Sequence, residues 1–288
     1  MLRAVRSVLQ QSHPVGEIIV VDDGSTDGTV PALQAAFGER VCCVQQPNGG
    51  VSVARNHGLR LARGRFLALL DSDDEWMPHK TARQLQWLHA HPDIDMVLGA
   101  YIWKDAQHRD LHAHYRRSEL PEDGAVLKWV LAHPALTPST VLMRRSVYDT
   151  VGGFDEALVT AEDLDFHIRV AARCRIGLVD EPLARLMRGQ EGLSNLLRSY
   201  DDALAVVQAA VARGTLPLPQ CDVDHALALA WTRAARGKVL SGHWRKALAM
   251  ARRAWRLAPS GAVRRKLLAL LPLAARRVAS SRQHRWEL

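Results

Sequence analysis

Short apolar runs alternate with stretches of helical spacing through the first two thirds of the chain. Phe66 to Leu70 is a continuous apolar run of the kind that predicts a fully buried strand, and Ile18 to Val21 predicts a short β-branched strand. Between and after them, apolar residues three or four positions apart predict helices. Strands that alternate with helices are typical of an α/β fold with a mostly parallel sheet flanked by helices.

The last third of the chain has a different pattern, in which only helices are predicted. These helices span about 194–213, 222–240, 243–257 and 261–279. The segment from Thr215 to Pro219 contains two prolines and predicts a linker. We therefore divide the chain into an α/β domain over residues 1–213 and an all-α C-terminal extension over residues 214–288.

The formal net charge of +8 is unevenly distributed. Residues 231–288 contain 15 Lys and Arg and one acid, whereas residues 1–230 contain 23 Lys and Arg and 29 acids. A basic tail on an acidic body predicts contact with a polyanion, and anionic lipid headgroups are one candidate. Nucleic acid is a weaker fit, because the tail tryptophans are spaced like helix-packing residues. A solvated helical face is the alternative explanation.

The composition and the cysteines limit the cellular location. No apolar run approaches the ~20 residues that cross a bilayer. The four cysteines have neither the spacing of a zinc site nor that of a disulfide framework. We therefore expect a cytoplasmic protein, with a peripheral position on the inner membrane face as the alternative if the basic tail contacts anionic lipid.

The run from Phe66 to Leu70 leads directly into Asp71, Ser72, Asp73 and Asp74. Ligands of open α/β sheets bind beyond the carboxyl ends of the strands. Three carboxylates within four residues repel one another unless a cation lies among them, and Mg²⁺ or Mn²⁺ prefers such oxygen ligands. An acidic turn that caps the following helix explains the same residues equally well.

Five short motifs resemble, in order and spacing, those of the family two glycosyltransferases, which are inverting enzymes with the GT-A fold. The motifs are Val20 to Thr29, Asn48 to Asn56, Leu70 to Asp74, Gly152 to Glu156 and Ala161 to Asp165. The resemblance covers roughly residues 1–195. It implies metal-dependent transfer of a sugar from a UDP- or GDP-activated donor to a hydroxyl acceptor, such as a growing surface glycan or a lipid-linked sugar.

The resemblance also implies roles on the donor side of the site. Asp22 and Asp23 would bind the base and ribose of the nucleotide, since carboxylates accept hydrogen bonds from such groups. Asp71 and Asp73 would be the metal-binding Asp-x-Asp pair, with Asp74 beside them as a further ligand of Mn²⁺ or Mg²⁺. The ion would bridge the donor diphosphate, which Asp71 would also contact.

On the acceptor side, Asp163 matches the catalytic base of the family, and its position at a helix N-terminus predicts that it stays ionised. Glu162 would contact the acceptor or orient the loop. Arg55, with Asn56 beside it, would meet the nucleotide or an acid at 71–74. Arg188 matches the basic residue of a lid that closes over the diphosphate, although glycine follows it where the family often has histidine.

The chain departs from the family pattern at its start. The family opens with a strand ahead of the helix in which Met1 lies, so we expect the full gene product to have about 20 or more residues upstream, including a central strand. The absence of that strand favours a second interpretation, a non-catalytic GT-A-like binding or scaffold protein whose helical tail binds a partner. The retained acids and the Glu162-Asp163 pair disfavour it.

Overall fold

The computed structural model describes residues 1–105, 107–114, 126–132, 136–187 and 197–273. Contacts divide it into two compact units. The first contains the described residues up to 129 and from 136 to 187, and the second contains residues 130–132 and 197–273. The predicted domain boundary at 213/214 falls inside the second unit. The division into two domains at that position stays a prediction.

The first unit contains the strands and most of the shorter helices. Its helices are α1 (Leu2–Leu9), α2 (Thr29–Phe37), α3 (Val51–Leu61), α4 (Lys80–Ala90), α6 (Arg145–Val151) and α7 (Glu162–Ala171), and α5 (Leu127–Ala132) has residues in both units. Its strands are β1 (Ile19–Asp23), β2 (Cys42–Gln46), β3 (Phe66–Leu67), β4 (Glu75–Trp76), β5 (Met96–Lys104), β6 (Asp110–His114), β7 (Leu142–Arg144) and β8 (Ile176–Met187).

The strands form two sheets. β1 and β2 pair in parallel, and the larger sheet has the order β3-β7-β5-β8-β4, with β6 added on β5. Within the larger sheet β5 and β8 are parallel, whereas the other pairings are antiparallel. The α/β class is confirmed, but the expectation of mostly parallel pairing is wrong for this sheet. An apolar run predicts a buried strand without indicating the direction of its neighbour.

The strand that precedes the acids is shorter than predicted. Only Phe66 and Leu67 pair, and they form an edge of the larger sheet against β7. Ala68 and Leu70 instead pack against a cluster that contains Trp76 and Tyr101. The expectation of a fully buried strand over 66–70 is therefore wrong, because packing of side chains, rather than a ladder of backbone hydrogen bonds, holds the segment that leads into the acids.

Two further apolar clusters position the rest of the first unit. One joins α1 and α2 to β1 through Val5, Val20 and Leu33. The other packs α4 on β5 and β8 through Leu88, Val97 and side chains around them. Burial of a large aliphatic side chain contributes about 1.5–3 kcal/mol, so these clusters fix the strand ends on which the candidate site is built.

The second unit is helical, as predicted for the C-terminal extension. Its helices are α8 (Ser199–Ala212), α9 (Gln220–Leu240), α10 (Trp244–Leu257) and α11 (Gly261–Leu268). A Cβ on Gly237 would lie 2.7 Å from the Cβ of Tyr200, so glycine allows α8 and α9 to approach closely. Small side chains, including Ala228 and Ala254, form the core between the helices. Among the described helices, none is long and apolar enough to cross a membrane.

Candidate active site

Arg55 is the centre of the candidate site. It lies on α3, and its Nη2 donates a hydrogen bond to Asp71 Oδ1 at 2.7 Å while its Nη1 donates to Glu162 Oε1 at 2.8 Å. Only 12% of the Arg55 side chain is exposed, and the guanidinium lies 5.2 Å from the ring centroid of Phe154. One buried cation therefore joins the acidic turn after β3 to the N-terminus of α7.

This arrangement also places Asp163 near the acidic turn. Asp71 and Glu162 each lie within one hydrogen bond of the same guanidinium, so their carboxylates are no more than about 8 Å apart. Burial opposes a charge on Arg55, but Asp71, Glu162 and Asp163 act in the other direction and raise its pKa above the ordinary value. The guanidinium thus stays ionised among three carboxylates.

The turn at 71–74 is fixed from inside by Ser139. The Ser139 hydroxyl donates to Asp74 Oδ2 at 2.6 Å and accepts from the Asp71 backbone N–H at 3.1 Å. Asp74 Oδ1 accepts from the backbone N–H of Met187 at 3.0 Å, and the indole of Trp76 donates to the Ser139 carbonyl. Ser139 is fully buried, so the turn rests on hydrogen bonds that water does not replace.

The three acids of the turn therefore face different surroundings. Asp73 is exposed and the Asp71 side chain is 34% exposed, whereas Asp74 is buried with each oxygen in a hydrogen bond. Burial raises the pKa of Asp74 to about 7, with the charges of Asp71 and Asp73 adding to the shift. Within the described residues no group of three acids, histidines or cysteines is arranged to hold a metal ion.

The carboxylates available as metal ligands at the turn consequently fit a divalent ion held by two of them rather than three. Mg²⁺ in particular is commonly bound by one or two carboxylates together with substrate phosphates and water. Asp71 and Asp73 have accessible oxygens of this hard type, and Asp74 stabilises the turn that presents them. Their assignment as metal ligands stays a prediction.

Asp163 lies in the first turn of α7, where its Oδ1 accepts a hydrogen bond from the backbone N–H of Leu164 at 2.7 Å. The pKa of Asp163 is raised to about 7, chiefly by burial and also by the charge of Glu162, while Arg55 acts in the opposite direction. At neutral pH Asp163 is therefore about half ionised, whereas the helix N-terminus alone would favour full ionisation. A carboxylate with a pKa near neutrality suits proton abstraction at physiological pH.

The residue that precedes α7 has an unusual backbone conformation. Ala161 adopts φ 62°, a left-handed conformation that is uncommon for residues other than glycine, asparagine and aspartate. Such a conformation costs on the order of 1–3 kcal/mol and persists only where the surrounding structure imposes it. Ala161 immediately precedes Glu162, the residue of α7 that contacts Arg55.

Asp22 and Asp23 lie at the carboxyl end of β1. Asp22 is 3% exposed and accepts a hydrogen bond from Gln45. Asp23 accepts from the backbone N–H groups of Gly49 and Gly50 at 2.8 Å each. Burial acts against its ionisation, but these bonds and one from Gln46 lower the pKa of Asp23 below the ordinary value. Because Gly50 is the N-cap of α3, Asp23 fixes the start of the helix that holds Arg55.

Asn56 is a structural residue in this arrangement. Its amide nitrogen donates to the carbonyl of Phe154 and to Glu156, and its Oδ1 accepts from the Phe154 backbone N–H at 2.7 Å. A Cβ on Gly153 would lie 2.1 Å from that Oδ1. The motif at 152–156 thus binds α3 through Asn56, and the glycine is required by the close approach.

The sequence did not indicate several residues of the site, and one residue that it did indicate lies outside the described part of the chain. Ser139 lies in none of the five motifs, and the motif that begins at Ala161 did not indicate its left-handed backbone. Lys80 was not predicted either, and its Nζ lies 4.1 Å from the ring centroid of Trp76. The only signal for Ser139 was its polar character directly ahead of an apolar strand. Arg188, with its predicted lid, lies outside the described residues.

Comparison with known proteins gives the family. The model of glycosyl transferase family 2 matches residues 1–152, which is more than half of the chain. This chain belongs to that family, and the resemblance drawn from its motifs is confirmed.

One relative is the "Putative teichuronic acid biosynthesis glycosyltransferase TuaG" of Bacillus subtilis (strain 168). It is 49% identical over 87 residues, which make up 29% of this chain and 34% of that protein. The chain thus covers about a third of this curated relative's length.

Solved structures share the fold. S. aureus TarS 1-349 in complex with UDP-GlcNAc has a TM-score of 0.70 at 22% identity, covering 98% of this chain and 88% of that one. The mannosyltransferase PcManGT from Pyrobaculum calidifontis, in complex with GDP-Man and Mn²⁺, has a TM-score of 0.55 at 20% identity, covering 94% and 80%. These likenesses confirm a GT-A-type α/β fold with an all-helical C-terminal region.

Proposed function

We propose that this protein is a metal-dependent inverting glycosyltransferase that moves a sugar from a nucleotide-sugar donor to a hydroxyl acceptor. Its family membership supports transfer chemistry. The single observation that supports this site is the Arg55 bridge, which holds Asp71 of the acidic turn and Glu162 of α7 against one guanidinium. The groups that we propose to bind the donor and to activate the acceptor thus lie close to one guanidinium, as a direct displacement would require.

Asp163 would remove the proton from the acceptor hydroxyl as the hydroxyl oxygen attacks the anomeric carbon. With a pKa of about 7, about half of Asp163 is ionised at neutral pH, and the carboxylate is basic enough to accept the proton. Glu162 is held by Arg55 and would position the acceptor or the loop. Asp165 has a different role, because it pairs with Arg169 at 2.7 Å inside the unit.

Asp22 and Asp23 would bind the nucleoside of the donor at the end of β1. The Asp22 carboxylate is buried beside Gln45, so a base or ribose donor group would meet an acceptor that solvent screens little. The Asp23 carboxylate already accepts hydrogen bonds from the backbone N–H groups of Gly49 and Gly50. Besides contacting the nucleoside, it would therefore hold the backbone at 49–50 in place.

Asp71 and Asp73 would hold Mn²⁺ or Mg²⁺, and Asp71 would also lie next to the donor diphosphate. Such an ion would neutralise the charge that develops on the departing diphosphate. The Mn²⁺ named for PcManGT supports this assignment. UDP- and GDP-sugars are the donors we propose, since the two structural neighbours are named with UDP-GlcNAc and GDP-Man. A surface glycan or lipid-linked sugar is the proposed acceptor, as the name of TuaG supports for glycans.

A donor screen tests this proposal. The protein is incubated with UDP- and GDP-sugars in the presence of Mn²⁺ or of a chelator, and release of nucleoside diphosphate is measured. We expect release from one nucleotide class that is lost with the chelator and lost in Asp73→Asn, but retained in the neighbouring control Ser72→Ala. If no donor is consumed and calorimetry detects no UDP or GDP binding with or without Mn²⁺, the non-catalytic scaffold interpretation replaces it.

A further inference from the structure

Helix α10 has its large apolar side chains on the outside. Trp244, Leu248 and Trp255 are 38%, 52% and 44% exposed, whereas the residues that it buries are the small Ala247 and Ala254. An ordinary surface helix turns its large apolar side chains toward the core. Five of the ten large apolar side chains that are exposed among the described residues lie between residues 244 and 271.

The exposed apolar residues of α10 form one stripe. At about 100° of rotation per residue, Trp244, Leu248 and Trp255 lie within an arc of about 40°. The adjacent arc contains Arg245, Arg252 and Arg256, all of them exposed. Within the described part of the chain, no ion pair joins these three arginines to a carboxylate. We call the two arcs together the α10 face.

The charge around the α10 face is of one sign. Residues 244–273 contain eight Lys and Arg and no acid. Two tryptophans beside arginines are suited to the boundary between lipid headgroups and acyl chains, where indole rings accumulate and long cationic side chains reach the phosphates. Pairing of the α10 face with the same face of a second copy would place arginines against arginines, which disfavours self-association.

We propose that the α10 face docks on an anionic lipid surface. Trp244, Leu248 and Trp255 would enter the headgroup boundary, and Arg245, Arg252 and Arg256 would bind lipid phosphates. Each basic residue near such a surface strengthens binding roughly fivefold, so three together contribute on the order of 100-fold. This docking surface lies in the second unit and does not depend on the proposed sugar transfer.

Vesicle sedimentation of the full chain tests the proposal. The probes are vesicles of phosphatidylcholine alone and of phosphatidylcholine mixed with phosphatidylglycerol. We expect binding only to the mixed vesicles, weakened by salt, reduced roughly 100-fold in the triple variant Arg245→Gln, Arg252→Gln, Arg256→Gln and at least about tenfold in Trp244→Ser, Trp255→Ser. The control Leu61→Ser, an exposed apolar residue on α3, should bind as the wild type does.

The three arginines are exposed, so the thermal unfolding midpoint of the arginine variant should match that of the wild type. Trp244 and Trp255 are partly buried, so vesicle binding of the tryptophan variant is compared well below its own unfolding midpoint. The proposal would be overturned if the protein bound phosphatidylcholine vesicles as strongly as the mixed vesicles, or did not bind the mixed vesicles at all. Unchanged affinity for the mixed vesicles in both α10 variants would also overturn it. A shift from dimer to monomer in the tryptophan variant, measured by light scattering without lipid, would also overturn it by showing that a second copy covers the face.

Discussion

Replacement of Arg55 by alanine should destabilise the first unit strongly. The change leaves Asp71, Glu162 and Asp163 near one another without their shared cation. Removal of one partner of a buried ion pair costs about 3–5 kcal/mol. The Asp71 side chain is 34% exposed and is partly screened by solvent, so we expect a value at the lower end, about 3 kcal/mol.

Thermal unfolding measures this loss. A cost of about 3 kcal/mol should lower the midpoint by about 6–12 °C in a unit of this size. Arg55→Lys should fall between the wild type and Arg55→Ala, because one ammonium cannot reproduce the fixed fork of hydrogen bonds to two carboxylates. Arg60 lies on the same helix, is 54% exposed and is 3.9 Å from Glu156, so Arg60→Ala is the matched control.

We expect the midpoint of Arg60→Ala to stay within about 2 °C of the wild type, as is usual for exposed ion pairs. An Arg55→Ala variant that unfolds at the same temperature as the Arg60→Ala control would refute the reasoning. It would mean that the bridge between the acidic turn and α7 contributes nothing to the folded state.

Three further predictions concern the same unit. Ser139→Ala leaves Asp74 buried with one fewer donor and should cost about 1–3 kcal/mol in urea unfolding; an unchanged midpoint would show that Ser139 does not hold the turn. Burial lowers the pKa of Lys80 to about 7, so the unfolded chain binds more protons between about pH 7 and 10.5. Wild-type stability should therefore rise with pH across that window and Lys80→Met should be flatter, whereas parallel curves would contradict this. Finally, Asp163 must be unprotonated to act as a base, so the transfer rate should climb with pH through about 7, and a rate that falls there would exclude this role.

The sequence predicted the fold class because strand and helix periodicities are local properties. The alternation up to residue 187 and the helical pattern beyond it are both found in the structure. Arg55 meets an acid of the 71–74 turn, which was one of the two contacts expected for it. The motifs were informative because four of the five follow a strand or open a helix, and ligands of α/β folds bind at such ends; only Gly152 to Glu156, which follows α6, does not.

What the sequence could not predict depends on contacts between distant residues. Ser139 is 65 residues from Asp74, and no local pattern marks a serine that will be fully buried beside a carboxylate. The same contact explains why Asp74 turns inward while its neighbours remain accessible. The raised pKa of Asp163 likewise follows from burial, which outweighs the helix N-terminus that the sequence made visible. The left-handed Ala161 lacks the glycine that would have indicated such a backbone.

The central claim is that Asp163 acts as the base on an acceptor held next to a nucleotide-sugar donor. The most direct test compares sugar transfer and UDP or GDP affinity in the wild type and in Asp163→Asn, each with Mn²⁺. We predict that transfer by the variant falls by about 10²–10⁴-fold while the nucleotide dissociation constant changes less than about twofold. Near-normal turnover in Asp163→Asn would contradict the claim.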